Sequence, residues 1–96
     1  MKDKVVIITG GTSGIGFASA KLFLENNAKV IIIGRDQVKG EAATIALRAV
    51  GDSVEFISCD LSKVSECQNL VKKIIDNYHK IDVLINNAGL YYEKAI

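Results

Sequence analysis

Val5-Val6-Ile7-Ile8-Thr9-Gly10-Gly11-Thr12-Ser13-Gly14-Ile15-Gly16 carries an apolar run straight into a glycine-rich turn. The residues Ile15, Ala18, Ser19, Leu22 and Phe23 then recur at helical spacing, and Asn26-Asn27 closes that helix. Strand, glycine loop and helix in this order form the arrangement that holds a pyrophosphate. Such a loop must turn sharply and let backbone N–H groups approach without side chains in the way. It then aims the positive end of the following helix at the negative charge. Gly10 permits the turn, Gly14 the close approach and Gly16 the contact between helix and sheet, with Gly11, Thr12, Ser13 and Ile15 completing the loop. The spacing is Gly-x-x-x-Gly-x-Gly rather than the commoner Gly-x-Gly-x-x-Gly, because Ser19 stands where the latter needs its third glycine. A glycine-rich turn without a ligand is the competing reading. The strand before it, the helix after it and three glycines in register weigh against that.

Outward from this segment, short apolar strands alternate with one-faced helices. Val5–Thr9 is the first strand and residues 29–33 the second. A second helix follows with Val38, Ala42, Ile45, Ala46 and Ala49 on one face, Asp36 as its N-cap and Gly51 as its stop. Val54–Ser58 is a third strand. Ser62 is the expected cap of a third helix whose face is Val64, Cys67, Val71, Ile74, Ile75 and Tyr78, and residues 81–85 form a fourth strand. Strands this apolar belong to a sheet covered by helices on both faces. Right-handed crossovers between parallel strands give the order 3-2-1-4, a doubly wound, three-layer α/β/α sheet of the Rossmann type. Residues 1–96 read as one domain, without repeat, linker or proline. The outer edge of strand four calls for a further strand, and residues 90–96 are too short to supply a crossover and one. The chain therefore reads as the first half of a larger sheet.

Composition narrows the function classes. Of the 96 residues, 49% are apolar, enough for a core, yet no run approaches the ~20 residues of a membrane span. The start Met1-Lys2-Asp3-Lys4 leads into no signal-peptide pattern, so a cytoplasmic location is expected. Twelve basic residues against eleven acidic ones leave a net charge of +1 with no basic cluster, which gives no support to a nucleic-acid or membrane-surface role. Cys59 and Cys67 form no Cys-x-x-Cys pair and lie far from His79, so no metal set is expected; they read as reduced, packed thiols.

Three further positions carry chemistry. A carboxylate about 20 residues beyond the glycine loop normally binds the ribose 2′-hydroxyl of NAD. Here that place is Gly34, followed by Arg35, one of two arginines in the chain. A guanidinium matches a 2′-phosphate with paired hydrogen bonds, which favours NADP over NAD. The alternative makes Arg35 a solvated surface charge and sends Asp36 to the ribose. Asp60-Leu61, after strand three, offers an acceptor for the adenine amino group and an apolar side chain for its ring; equally, Asp60 reads as a turn carboxylate that starts the third helix. Asn86-Asn87-Ala88-Gly89 ends strand four at the carboxyl edge, where ligands of open parallel sheets bind. Small Ala88 and Gly89 let the backbone run close to a ribose, and the two amides can tie neighbouring strand ends together.

With these segments in place the chain resembles the short-chain dehydrogenase/reductase family. It has that family's Thr-Gly-x-x-x-Gly-Ile-Gly at residues 9–16, its Asp-Leu at Asp60-Leu61 and its Asn-Asn-Ala-Gly at residues 86–89. The resemblance covers essentially the whole chain. It implies a Rossmann fold, a nicotinamide cofactor, and hydride transfer between a carbonyl and an alcohol. It also implies cofactor contacts at Gly10, Thr12, Ser13, Ile15, Asp60, Asn87 and Ala88, and in that family a basic residue in the place of Arg35 goes with NADP. Some NADP-using members also carry a base where this chain has Ser13, and that second support is missing.

The family's catalytic serine and Tyr-x-x-x-Lys lie beyond Ile96. Tyr78, Tyr91 and Tyr92 have Asp82, Ala95 and Ile96 four residues on, never lysine. A tyrosine with an ordinary pKa of about 10 and no ammonium nearby is a poor proton donor-acceptor at neutral pH. His79 reads as a surface residue favoured by the helix dipole. No catalytic residue is therefore expected in this stretch, and the chain by itself is expected to be inactive. Two functions are compatible with these residues. The chain is the cofactor-binding part of an NADP-dependent reductase acting on a 3-oxoacyl thioester or another small-molecule carbonyl, with a homo-oligomer as the expected assembly. Alternatively it is a non-enzymatic module that senses NADP(H) and acts through a partner.

Overall fold

β1 (Val5–Thr9) is buried along its whole length, because it lies inside the sheet with helices against both faces. The computed structural model describes residues 2–12 and 14–87. After β1 come α1 (Gly14–Glu25), β2 (Lys29–Gly34), α2 (Gln37–Leu47), β3 (Val54–Ser58), α3 (Val64–Tyr78) and β4 (Val83–Asn86). The four strands are parallel in the order β3-β2-β1-β4, as the crossover rule requires. Pairs such as Ile8 with Ile32 and Ile8 with Ile85 set the register.

Strand alternation divides the interior in two. Val6, Ile8, Val30, Ile32 and Val54 meet Ala20, Leu24 and Leu47 of α1 and α2 on one face. Val5, Ile7, Ile31 and Ile33 meet Leu70 and Ile74 of α3 on the other. The sheet is thus the middle of three layers, with successive side chains serving opposite cores.

The helices reach the sheet through other faces than their largest apolar residues suggest. In α1 the buried residues are Gly16, Ala20 and Leu24, while Ile15 is 71% and Leu22 59% exposed. In α2 they are Gly40, Ala43, Thr44 and Leu47, with Val38 and Ile45 exposed. The reason is close approach. A Cβ at Gly40 would run into the Phe56 ring, so the small face of α2 is the one that fits against β3. In α3, Ile74 is buried as expected and Leu70 joins it, whereas Val64, Val71 and Ile75 are exposed.

The caps differ in part from expectation as well. Asp36 caps α2, its carboxylate accepting the Lys39 N–H at 3.1 Å. The helix stops at Leu47 with Arg48 as C-cap, ahead of Gly51, whose N–H still bonds the Leu47 carbonyl at 3.2 Å. Lys63 rather than Ser62 is the N-cap of α3, since the Ser62 hydroxyl and N–H both turn back to Asp60 Oδ1 at 2.7 and 3.0 Å. Asn27 ends α1 in the left-handed region at φ 66°, and His79 does the same for α3 at φ 69°.

Two local devices hold the sheet and loop in place. Asp82, just before β4, receives the Val5 N–H on its carboxylate at 2.8 Å and donates its own N–H to the Val5 carbonyl at 2.9 Å. That clamp seats β4 beside β1. Lys80 lies 3.2 Å from the same carboxylate. At the opposite end, Gly10 and Gly14 take φ of 69° and 59°, and the turn they form brings α1 back onto the strand. A Cβ at Gly16 would collide with the Gly10 carbonyl and lie 2.7 Å from Asn87 Nδ2, whereas one at Gly14 would meet nothing within 4 Å.

Gly14→Ala should therefore cost about 1 kcal/mol, the strain of a left-handed alanine. Gly16→Ala should cost about 3 kcal/mol, because backbone must move. Urea unfolding measures both, and equal losses would contradict the packing described. The bond from Val5 holds the Asp82 carboxyl below the usual carboxylate range, assisted by Lys80 and Lys4. A depressed folded value makes the clamp's contribution complete above the unfolded pKa of about 3.9, and it is lost as pH falls through the folded value. Asp82→Ala should lower Tm by a few degrees at neutral pH, and the gap to wild type should close as the solution is acidified below about pH 4. A gap that persists in acid would show that the carboxylate charge is not what matters.

Candidate functional site

The carboxyl ends of β1, β2, β3 and β4 bring the glycine loop, Gly34-Arg35, Cys59-Asp60 and Asn86-Asn87 to one edge of the sheet. The loop is bound into this edge by backbone and by packing. Gly10 donates its N–H to the Ile33 carbonyl at 3.0 Å. A Cβ at Gly11 would lie 2.8 Å from Ile32 Cγ2, so the loop rests directly on β2. Gly34 stands beside it, its Cβ position 3.9 Å from Thr12 Cγ2 and 3.4 Å from the Phe56 ring. A small residue here keeps the space above the end of β2 clear.

The other wall is β4. Thr9 donates its hydroxyl to Asn86 Oδ1 at 2.9 Å, across the register pair that ends both strands. One amide of the Asn-Asn pair thus ties two strand ends together. The second, Asn87, points its Nδ2 at the start of α1 near Gly16. That nitrogen is buried and, among the described residues, has no hydrogen-bond partner. A buried amide donor without an acceptor is costly, and an oxygen-rich ligand lying between β4 and the loop would satisfy it. At the start of the same helix a Cβ at Gly14 would meet nothing within 4 Å, Ile15 is exposed, and the first N–H groups of α1 have no acceptor within the helix. These residues fit a dinucleotide's phosphates and sugar.

Asp60 sits at the far side. Its carboxylate accepts from the Ser62 hydroxyl and N–H, which hold it below the usual range, with Arg35 and Lys63 adding to the effect. The carboxylate is thus both the turn-former and an ionised group near Arg35. Its backbone N–H donates to Glu66 Oε1 at 3.0 Å, and Leu61 is partly exposed beside it. Arg35 is exposed, and its carbonyl accepts from the Ser58 hydroxyl at 3.4 Å.

Ser13, Ala88 and Gly89, named from the sequence, lie outside the described residues, as do Tyr91 and Tyr92. Tyr78 donates its hydroxyl to Glu55 at 2.9 Å, and burial together with that bond pushes its pKa up to about 12. It is a strut between α3 and β3, far from proton transfer at neutral pH. Sequence reasoning missed three contributors: Thr9 as a donor to Asn86, Glu66 as the acceptor for Asp60, and Asp82 as the clamp on Val5. Only Glu66 left a signal, an acid in the first turn of α3. Among the described residues, no group of three or more His, Cys, Asp or Glu could hold a metal, and no helix is long and apolar enough to cross a membrane.

Comparison with known proteins agrees with this geometry. The family model for short chain dehydrogenase matches residues 4–96. A 3-oxoacyl-[acyl-carrier-protein] reductase from Chlamydia pneumoniae is 44% identical over 87 residues, covering 91% of this chain and 35% of that protein. Among solved structures, a variant actinorhodin polyketide ketoreductase with NADPH superposes with a TM-score of 0.84 at 30% identity, covering 91% of this chain and 34% of that one. An NADH-dependent reductase complexed with NAD superposes with a TM-score of 0.77 at 36% identity, covering 88% and 36%. Both dinucleotides thus occur among the matched structures. The chain spans about a third of the length of the curated relatives it matches. A match along nearly its whole length, on top of the shared sheet order and motif positions, makes the chain a member of the short-chain dehydrogenase/reductase family of oxidoreductases.

Proposed function

We propose that residues 1–96 form one domain that binds NADP(H) for an oxidoreductase exchanging hydride between NADPH and a carbonyl compound. In this reading Gly10, Gly11, Thr12, Gly14, Ile15 and Gly16 receive the pyrophosphate, joined on sequence grounds by Ser13. Asp60 and Leu61 take the adenine. Asn87 takes a ribose, with Ala88 and Gly89 continuing its path. The nicotinamide, when bound, supplies or accepts the hydride. The chain's own residues bind and orient the dinucleotide.

The observation that carries the NADP preference is the end of β2. The position that would present a carboxylate to a ribose 2′-hydroxyl is Gly34, packed beside Thr12, and the next side chain is the exposed guanidinium of Arg35. Asp36, the other candidate for the ribose, already caps α2. A carboxylate engaged with a helix N-terminus is a poor partner for a sugar hydroxyl, whereas a guanidinium is suited to a phosphate. For substrate, the likeness to a 3-oxoacyl thioester reductase supports a 3-oxoacyl thioester or another ketone.

Arg35→Ala tests the reading. Charge-assisted bonds to a phosphate are worth about 1.5–3 kcal/mol, so NADPH affinity should fall by roughly 10- to 100-fold. NADH affinity should barely move. Calorimetric titration of both dinucleotides measures this, and equal losses would discard the assignment.

A further inference from the structure

One aromatic ring touches both ends of the segment that carries Arg35. Phe56 lies on β3 in register with Ile32, and its side chain stands on the α2 side of the sheet. A Cβ at Gly34, the last residue of β2, would lie 3.4 Å from Phe56 Cε1 and 3.9 Å from Cζ. A Cβ at Gly40, early in α2, would run into Cδ1, Cε1 and Cε2 together, so the ring rests against bare helix backbone. Gly40 in turn donates its N–H to the Asp36 carbonyl at 2.9 Å. Arg35 and Asp36 are thus bracketed by two glycines that share one ring. β3 grips the same segment at two more points. Cys59 donates its N–H to the Gly34 carbonyl at 2.9 Å, and Ser58 its hydroxyl to the Arg35 carbonyl at 3.4 Å. Phe56 is only partly buried, and it borders an open groove of about 450 Å³ lined also by Gln37, Glu41, Thr44 and Arg48. Shortening its side chain therefore widens a groove rather than leaving a closed void.

We infer that Phe56, seconded by Ser58, is a positioning residue for dinucleotide selectivity: its ring sets where the turn between β2 and α2 lies and so aims the Arg35 guanidinium. The inference rests on the reading of Arg35 as the partner of a 2′-phosphate. Paired bonds from a guanidinium to a phosphate require the planar fork and the oxygens to be aligned. Arg35 is exposed, so its backbone is the part that the fold can fix before a ligand arrives. A root held in place leaves less freedom to be lost on binding. The ring supplies that hold because both glycines let it approach the backbone directly, on the β2 side and on the α2 side at once. A shorter aliphatic side chain cannot span the two contacts, and the start of α2 is then free to settle toward β3. Ser58 contributes less, through one long bond at an exposed position. NADH has a hydroxyl where NADPH has the phosphate, so its affinity does not depend on where Arg35 points. Losing the aim of the guanidinium costs less than losing the guanidinium, which bounds the effect below the roughly 10- to 100-fold expected of Arg35→Ala.

The experiment titrates the full chain with NADPH and with NADH by calorimetry, as wild type, Phe56→Leu, Ser58→Ala, Arg35→Ala and each of the first two combined with Arg35→Ala. Phe56→Leu should weaken NADPH about 5-fold and Ser58→Ala about 3-fold, a fraction of the ~100-fold that a 1 Å misplacement can cost, with NADH unchanged. Once Arg35 is alanine, neither substitution should alter the ratio of the two affinities further, because the group they position is gone. Equal losses for both dinucleotides would make the ring a support of the fold alone and overturn the inference. A selective loss that persists without Arg35, or no loss at all, overturns it too. If Phe56→Leu lacks a cooperative thermal transition, Ser58→Ala decides, since its hydroxyl is exposed. Arg35→Ala separates the inference from the reading beneath it. An unselective loss there removes both, whereas a selective loss there beside an indifferent Phe56→Leu removes the inference and leaves the phosphate reading standing.

Discussion

Nothing larger than a hydrogen fits between Gly16 and the Gly10 carbonyl, and that constraint governs the whole carboxyl edge of the sheet. It fixes where α1 begins relative to the end of β1. Because α1 begins there, its unsatisfied N–H groups open directly beside the strand ends rather than one turn away. The same contact places Asn87 against the start of the helix, so loop, helix and β4 share one small volume. The positive φ values of Gly10 and Gly14 are the local means by which the chain achieves this approach. Two residues bend the backbone, and a third has no side chain to keep the helix away.

Sheet order and layer arrangement were legible in the sequence because they depend on coarse properties. Wholly apolar strands demand cover on both faces, and parallel pairing with right-handed crossovers leaves few orders. The helix faces were not legible. α1 is apolar around most of its circumference, with Ile15, Phe17, Leu22, Phe23 and Leu24 pointing several ways, so periodicity alone cannot choose a face. The choice falls on the face with the smallest residues, since Gly16, Ala20, Gly40 and Ala43 let α1 and α2 lie close to the sheet. Packing distance outranks side-chain hydrophobicity over much of both helices: Leu24 and Leu47 are buried, but Ile15, Leu22, Val38 and Ile45 remain at the surface. Ser62 illustrates a similar competition. Its hydroxyl suits a helix cap, but Asp60 two residues earlier captures it first.

The strand-end motifs were legible as a set, and the membership they suggested is carried by the match over residues 4–96. The bonds between them were hidden. Thr9 with Asn86, and Val5 with Asp82, are 77 residues apart in each case and meet only when the β1–β4 register is set. No local pattern announces such pairs, because each partner is ordinary in its own neighbourhood. Asp60 stood open between two uses in the sequence. The structure gives its carboxylate to Ser62 while keeping it ionised near Arg35, so turn formation and local electrostatics are served by one group.

That local charge has to act alone. Twelve basic and eleven acidic residues give the chain almost no net charge, so there is no broad positive field to draw in a phosphate. In the reading proposed, discrimination between dinucleotides comes from contact at short range. Arg35 is suited to that because its backbone is held on both sides. Its carbonyl accepts from Ser58 across the β2–β3 seam, and the following residue caps α2. The guanidinium projects from this fixed point into solvent, where burial costs it nothing before a ligand arrives. Asp60 nearby competes weakly for it, being already engaged with Ser62, and a doubly charged phosphate outmatches a single carboxylate for the same fork of donors. In the reading proposed, selectivity thus comes from one anchored arginine above a glycine and from no feature of the overall charge.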